Sequence, residues 1–196
     1  MTVMITFLGD ELFSRGDVDV LLKQQLQAMP GEICDLAEDY LLNNSVDDIC
    51  EALVKKYMVS LPTVRDTDIW KHREGTRYHF EVSFDGDDRF FWVHGSPFQL
   101  SFPKATVDSK RKKLRFTLDT IDESAEHLQA ALENQIKLVR GFLVTMRTPV
   151  NAHNQALAGR VRPPVETRVS RLQTSRAVYE QLPYKPREDG SDGRTG

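Results

Sequence analysis

The spacing of apolar residues changes twice along the chain, and each change predicts a different kind of element. Over residues 1–60, apolar side chains recur at steps of three and four, the spacing of a helix with one buried face. Asp17 and Ser45 precede such runs in positions suited to helix caps, and Pro30-Gly31 stands where the first run ends. The pattern predicts three short helices that form an amphipathic helical cap.

From Thr67 the spacing falls to two, as in strands with one buried and one solvated face. The apolar members of this alternation are Tyr78, Phe80, Val82 and Phe84, then Phe98, Leu100 and Phe102, then Leu114, Phe116 and Leu118. Turn sequences such as Asp85-Gly86-Asp87 separate these runs, and short connections favour antiparallel pairing. The pattern predicts an antiparallel β-meander of about five strands over residues 67–121.

A third pattern begins at Asp122 or Ser124 and predicts one long helix with a continuous apolar stripe. The stripe consists of Leu128, Leu132, Ile136, Val139, Leu143 and Met146. Pro149 then marks either a kink or a new helix start. Pro163-Pro164 is expected to break the helical segment that follows.

Together the three patterns predict an α+β fold for this chain of 196 residues, a length that suits one domain with an appended helical arm. We expect an α+β core over residues 1–121, and a long helix with an Arg-rich helical arm over residues 122–185. The polar segment 186–196 has no apolar side chains with which to pack, so we expect it to be disordered.

The charges are distributed unevenly, although the net charge is only −3. Residues 1–60 carry eleven Asp and Glu against four Lys and Arg, a net of −7, whereas residues 140–187 carry two against nine, a net of +7. Such a polarity favours docking between oppositely charged surfaces. It points to a protein partner, or to a homo-oligomer in which the acidic cap of one copy meets the arginine end of another.

The composition, with 40% hydrophobic and 28% charged residues, is typical of a soluble globular protein. No apolar stretch approaches the ~18 residues of a membrane span, and the apolar start has no basic region before it. We therefore expect a cytoplasmic protein without a membrane partner. Cys34 and Cys50 match no metal-ligand spacing and are interpreted as buried free thiols.

One acidic turn is the best candidate for chemistry. Asp85, Asp87 and Asp88, with Arg89 and His94 nearby, resemble the carboxylates of a metal-dependent hydrolytic site. Asp and Gly are also favoured in hairpin turns for backbone reasons alone, and neighbouring strand residues point to opposite sides. We therefore prefer the hairpin interpretation to a metal site.

A second candidate is His153-Asn154, which lies on a predicted helix beside arginines and is interpreted as a surface pair rather than a general base. The sequence contains no serine-hydrolase, P-loop or dinucleotide-binding motif. We expect no catalytic residues, no metal ligands and no cofactor.

Two basic elements are stronger candidates for binding. The first is a predicted hairpin tip with Lys110, Arg111, Lys112, Lys113 and Arg115; the second is the C-terminal set Arg160, Arg162, Arg168, Arg171 and Arg176. Either set is interpreted as a solvated surface or as a contact to an anionic partner, which would be protein or nucleic acid. The pI of about 6.0 argues against a dedicated nucleic-acid-binding protein.

The order of these motifs resembles that of a family of uncharacterised bacterial proteins, over most of residues 10–185. The residues that carry the resemblance are Phe84, Gly86, Asp87, Phe90, Phe91, Pro97, Pro103, Asn154, Leu157 and Leu182-Pro183. The chain departs from the family pattern at Ser83, where the family has proline, and at Pro163-Pro164 within the arginine helix. The family is similar to components of defence or mobile-element gene clusters, which implies a partner-dependent role.

These observations lead to three hypotheses. The leading hypothesis is a non-catalytic interaction subunit of a multi-component bacterial system, in the setting of antiphage defence. The alternative is a nucleic-acid-binding protein that uses the basic hairpin and the arginine-rich helix. The weakest is a metal-dependent nuclease built on the acidic turn.

Overall fold

The computed structural model describes residues 5–95, 101–120 and 124–184, and it confirms the α+β fold class. The helices are α1 (Val18–Asp35), α2 (Glu38–Asn43), α3 (Val46–Tyr57), α4 (Ala125–Thr145) and α5 (Arg147–Gln181), with a short 3-10 helix at Asp88–Phe91. The strands are β1 (Thr6–Leu8), β2 (Asp10–Glu11), β3 (Thr63–Glu74), β4 (Arg77–Asp85), β5 (Lys104–Asp108) and β6 (Lys113–Asp119). The predicted tail at 186–196 lies outside the described residues.

The strands form a six-stranded antiparallel sheet in the order β2-β5-β6-β4-β3, with β1 also paired to β6. The order differs from that of a simple meander because β6 lies between β4 and β5. The prediction that residues 1–60 contain only helices is wrong at β1 and β2. Between these two strands, Gly9 has a φ of +129°, and a Cβ there would lie 3.0 Å from the Ala105 carbonyl carbon. Glycine thus lets the chain pass from β1, which pairs with β6, to β2, which pairs with β5.

The predicted strand regions differ from the observed strands at two places. β3 begins at Thr63, four residues before the predicted start, and a bulge interrupts its pairing with β4 between Arg65 and Ile69. The predicted strand around Phe98 and Leu100 falls mostly outside the described residues, and Phe102 precedes β5 without belonging to a strand.

One buried cluster lies between the apolar face of the sheet and α4. Ser124 caps α4, which confirms the predicted start of the long helix. Its buried residues are Leu128, Leu132, Ile136, Val139, Phe142 and Leu143, and they belong to the same cluster as Val82, Phe84, Leu114, Phe116 and Leu118 of the sheet. The apolar face of the sheet and the apolar stripe of α4 are therefore buried against each other.

A second buried cluster joins the N-terminal helices to α5. It contains Met29 and Ile33 of α1, Leu41 of α2, Ile49, Cys50, Leu53 and Tyr57 of α3, and Leu157, Val161, Val165, Val169 and Leu172 of α5. The helical cap predicted for residues 1–60 thus packs largely on the C-terminal helix. Both clusters include residues on either side of position 121, and the predicted domain division there stays a prediction.

The helices pass through prolines that the sequence marks as helix ends. α1 continues past Pro30 to Asp35, and α5 continues past Pro163 and Pro164 to Gln181, so both predicted breaks are wrong. A proline inside a helix costs about 3 kcal/mol, and burial of the flanking apolar residues in the second cluster offsets that cost. Pro149 is the third residue of α5, in the first turn of a new helix.

The acidic and arginine-rich parts of the chain lie beside each other within one helical bundle. Arg162 of α5 forms a salt bridge with Asp47 of α3 and bonds to Glu166 on its own helix. Lys56 pairs with Glu32 at 2.6 Å between α3 and α1. Part of the acidic N-terminal region therefore pairs with the arginine-rich helix within the same chain.

The two cysteines occupy different environments. Cys50 is buried in the second cluster, and burial raises the pKa of its thiol. Cys34 is exposed, so the prediction that both thiols are buried is wrong for this residue, which lies on the solvent side of α1.

None of the helices in the described segments combines the length and the apolar composition that a membrane span needs.

Candidate functional site

Most of the predicted basic hairpin is engaged in contacts within the fold. Lys112 Nζ donates to the Gly86 carbonyl at 3.0 Å and pairs with Asp88 at 3.2 Å. Lys113 Nζ donates to the Ser83 hydroxyl at 2.8 Å, and Arg115 pairs with Glu81 at 2.7 Å. Arg111 lies 3.9 Å from Asp108, and Lys110 is exposed beside it. Three of the five cations of this tip, Arg111, Lys112 and Arg115, therefore have a carboxylate partner, which weakens its case as a phosphate-binding element.

The five arginines of α5 divide between two environments. Arg162 and Arg176 have carboxylate partners, Asp47 and Glu166 for the first and Glu180 at 3.0 Å for the second. Arg160, Arg168 and Arg171 lie at positions i, i+8 and i+11, on one face of the helix. Within the described residues these three have no carboxylate within 4.0 Å, and the buried Nε of Arg168 has no hydrogen-bond acceptor. They form the one uncompensated arginine stripe of the described chain.

The acidic turn does not gather its carboxylates. Asp85 pairs with Arg65, and Asp87 caps the 3-10 helix and pairs with Arg89 at 2.6 Å. Asp88 accepts hydrogen bonds from Ser109 and Lys112, which together lower the pKa of this carboxyl, Ser109 contributing most. Each carboxylate therefore has its own partner. These contacts support the hairpin interpretation over a shared metal site.

His153 is buried and Asn154 is half-buried, so the prediction of a surface pair is wrong. His153 is buried, and its Nε2 lies 3.3 Å from the Tyr57 carbonyl oxygen. The Asn154 side chain accepts from the Val59 N–H at 3.1 Å and donates to the Val59 carbonyl at 2.9 Å. Both residues connect α5 to the end of α3 and the segment that follows it.

The polar face of the sheet carries a group that the sequence analysis missed. His72 and His79 are directly paired across β3 and β4, with ring centroids 4.7 Å apart, and Glu74 follows His72 on the same face. The signal was the turn at Gly75-Thr76, because a hairpin closed there places residue 72 opposite residue 79. Reading each histidine separately could not reveal this pair.

His79 occupies the most protected position of this group. Its side chain is 18% exposed, and burial is the main cause that lowers the pKa of its imidazole, followed by the neighbouring His72. Nδ1 lies 3.0 Å from the Thr117 hydroxyl on β6, and Nε2 lies 3.9 Å from a Glu74 carboxylate oxygen. The group opens into a shallow depression of about 470 Å³, which Trp70, Glu81 and Arg115 also line.

The C-terminal end of α5 extends past the body of the molecule. Leu172 is its last buried residue, and every described residue from Gln173 to Tyr184 is exposed. At 1.5 Å per residue, the helix continues about 14 Å beyond Leu172. This exposed C-terminal segment (residues 173–184) carries four large apolar side chains, namely Val178, Tyr179, Leu182 and Tyr184, which are 56%, 59%, 48% and 79% exposed.

No protein-family model matches the chain, and neither a curated protein nor a solved structure matches it. The resemblance to a family of uncharacterised bacterial proteins therefore stays an expectation.

Proposed function

We propose that this protein is a non-catalytic interaction subunit that docks onto a partner protein through its exposed C-terminal segment. The observation that carries the proposal is the change in α5 from a buried helix to an exposed one that keeps apolar side chains. Isolated apolar residues are normal at a surface, but several of them grouped at the end of a projecting helix are typical of a binding element.

One of the exposed apolar residues, Tyr179, continues the side of α5 that is buried in the second cluster. Tyr179 follows Leu172 by seven residues, which is about two helical turns, so both lie on the same face. Leu182, the first residue after α5, follows Val178 by four positions and Tyr179 by three. Spacings of three and four are those of helices that lie in the apolar groove of a partner.

The helices α1, α2 and α3 cover the buried part of α5, and their residues indicate the chemistry expected of a partner that covers the exposed part. Along Val161 and Val165, α5 is covered by amphipathic helices whose apolar side chains pack on it, and Asp47 at their rim pairs with Arg162. The exposed segment repeats this arrangement, because Arg171 and Arg176 border its apolar side chains. We expect a partner protein with an apolar groove and an acidic rim. Within one chain, α5 itself fills the groove of the N-terminal helices that covers Val161 and Val165.

The docking proposal predicts that charged side chains placed among the exposed apolar residues of the C-terminal segment disrupt the complex. Tyr179→Asp combined with Leu182→Asp is expected to release the chain as a monomer, whereas Asn151→Asp combined with Gln155→Asp, at exposed positions of the same helix, is expected to leave the complex intact. The measurement is the apparent mass of the tagged chain in extract from the source organism at low salt, with mass spectrometry of the co-eluting proteins.

Three results would contradict the docking proposal. One is a monomeric wild-type chain in the extract. Another is a complex built from copies of this chain alone. The third is a complex of unchanged mass and composition in the Tyr179→Asp, Leu182→Asp variant, whose folding is checked by its circular dichroism and thermal unfolding.

The expected setting of this role comes from the family resemblance, which implies a multi-component bacterial system for antiphage defence or mobile-element function. The neighbouring genes test that setting. An effector such as a nuclease or ATPase encoded next to this chain would fit an accessory role, and an isolated gene would speak against it.

A second candidate function is nucleic-acid binding, and the uncompensated arginine stripe favours it. Three guanidinium groups without carboxylate partners suit contacts to phosphates.

Binding through these three arginines predicts a slope of log K against log salt of about −2.7 for duplex DNA, because each phosphate contact contributes about −0.9. Arg160→Glu combined with Arg171→Glu should abolish most of this binding, and the control Lys110→Glu at the hairpin should not. Fluorescence anisotropy across a salt series measures both, and undetectable wild-type binding at low salt removes the candidate.

A further inference from the structure

The polar face of the sheet presents three side chains with the donor atoms of a transition-metal site. His72, Glu74 and His79 each offer one ligand atom, and these atoms lie within 4.8 Å of one another. In the parts of the chain that the structure describes, this is the one group of at least three His, Cys, Asp or Glu side chains with such convergence. Strand pairing fixes two of the three positions, because His72 and His79 are cross-strand partners.

The hydrogen bonding of His79 matches the arrangement of a metal-binding histidine. His79 Nδ1 lies 3.0 Å from the Thr117 hydroxyl, and in the tautomer that donates this Nδ1–H, the lone pair of Nε2 is available on the side of His72 and Glu74. Nε2 is buried and has no hydrogen-bond partner. A buried polar atom without a partner costs free energy, so its presence calls for an explanation. Metal-binding histidines commonly donate their second ring N–H to a neighbouring oxygen, which fixes the orientation of the ring.

We propose that His72, Glu74 and His79 bind a divalent transition metal, with Zn²⁺ as the best fit. Two imidazole nitrogens and one carboxylate oxygen form a donor set that zinc accepts, and such a set leaves a fourth position for water or another ligand. A tetrahedral ion with bonds near 2.1 Å holds its ligand atoms about 3.4 Å apart. The ligand atoms here lie within 4.8 Å of one another, so metal binding requires small rotations of His72 and Glu74 that shorten these distances. Both side chains are exposed.

The surrounding charges are compatible with this assignment. Arg115 and Lys71 line the same depression, where Glu81 pairs with the guanidinium of Arg115 and Glu74 supplies a second carboxylate. Hard cations such as Mg²⁺ prefer oxygen ligands and keep several waters, so an imidazole-rich site discriminates against them. Thr117 acts as a positioning residue, because it contacts the imidazole of His79 rather than the ion.

Titration calorimetry with ZnCl₂ on the full chain tests the proposal, in a Cys34→Ser background that removes the exposed thiol. We expect one equivalent of Zn²⁺ to bind and Mg²⁺ not to bind. His72→Ala and Glu74→Gln should each weaken Zn²⁺ binding by on the order of 100-fold, and Thr117→Val by about 10- to 100-fold, the range observed when a hydrogen-bond partner of a metal ligand is lost. His127→Ala, at an exposed histidine on α4, is the matched control and should leave the affinity unchanged.

Co²⁺ absorption provides a second readout, because the visible spectrum of bound Co²⁺ reports the ligands directly. We expect a visible band in the Cys34→Ser chain that is lost in His72→Ala and shifted in Thr117→Val. The proposal is overturned by absent Zn²⁺ binding at micromolar metal, or by binding that the His72→Ala and Glu74→Gln variants retain in full. Both substitutions lie at exposed positions, so folded variants are expected and circular dichroism verifies them.

Discussion

Phe91→Ala is expected to lower the free energy of unfolding by about 3–5 kcal/mol, the usual range for removing a fully buried aromatic side chain. The Phe91 ring is 0% exposed and packs edge-on against Phe84 at 4.9 Å and Phe13 at 6.1 Å between ring centroids. Alanine would leave a cavity where the 3-10 helix, β4 and the N-terminal segment meet, and these backbone segments cannot close it. Urea unfolding followed by circular dichroism measures the loss.

Two further variants make the Phe91 prediction specific. Phe91→Leu retains most of the volume and should cost about 1–1.5 kcal/mol. Trp70→Ala removes a larger aromatic side chain that is 65% exposed on β3, and surface substitutions of this kind stay within about 0.5 kcal/mol. Equal losses for Phe91→Ala and Trp70→Ala would contradict the assignment of the first buried cluster.

Asn154→Ala is expected to lower the free energy of unfolding by about 2–4 kcal/mol, because it leaves two backbone groups without partners. The Asn154 side chain satisfies both the N–H and the carbonyl of Val59, and Val59 is buried at the end of α3. The cost should fall on the packing of α3 against α5. Hydrogen exchange of the amides in α3, alongside urea unfolding, measures both effects.

Asn151→Ala provides the matched control for Asn154, since it removes the same side chain one helical turn earlier at an exposed position of α5. We expect it to change stability by less than about 0.5 kcal/mol. A similarly small loss for Asn154→Ala would show that the contact between its amide and Val59 does not hold α3 in place.

Local patterns of apolar residues predicted three elements of the fold. The alternation from Tyr78 to Phe84 corresponds to β4, and the alternation from Leu114 to Leu118 corresponds to β6. The apolar stripe that begins at Leu128 corresponds to α4. In each case one face is buried and the other is solvated, so the period of the apolar residues determines the element.

Elements that depend on distant partners could not be read from local patterns. β1 and β2 have three and two residues, and they exist because β6 and β5 lie beside them. Pro163 and Pro164 predict a break on local grounds, yet burial of Val161 and Val165 against the N-terminal helices keeps α5 continuous. Tertiary packing outweighs local propensity at these positions.

The candidate sites show the same division between local and distant information. The basic residues of the hairpin are apparent in the sequence, but the sequence does not show that Lys112 pairs with Asp88 and Arg115 with Glu81. The His72–His79 pair depends on strand register, which the turn at Gly75 sets. The exposure of Tyr179 depends on where the second cluster ends, and only the folded chain reveals this.

The most direct test of docking through the exposed C-terminal segment is site-specific photo-cross-linking in the source organism. The chain is produced with p-benzoylphenylalanine in place of Tyr179, and a matched chain carries it in place of Gln155, an exposed position of α5 alongside the second cluster. Docking predicts a dominant adduct with one other protein from position 179 and none from position 155. Equal labelling from both positions, an adduct with the chain itself, or no adduct from position 179 would contradict the account.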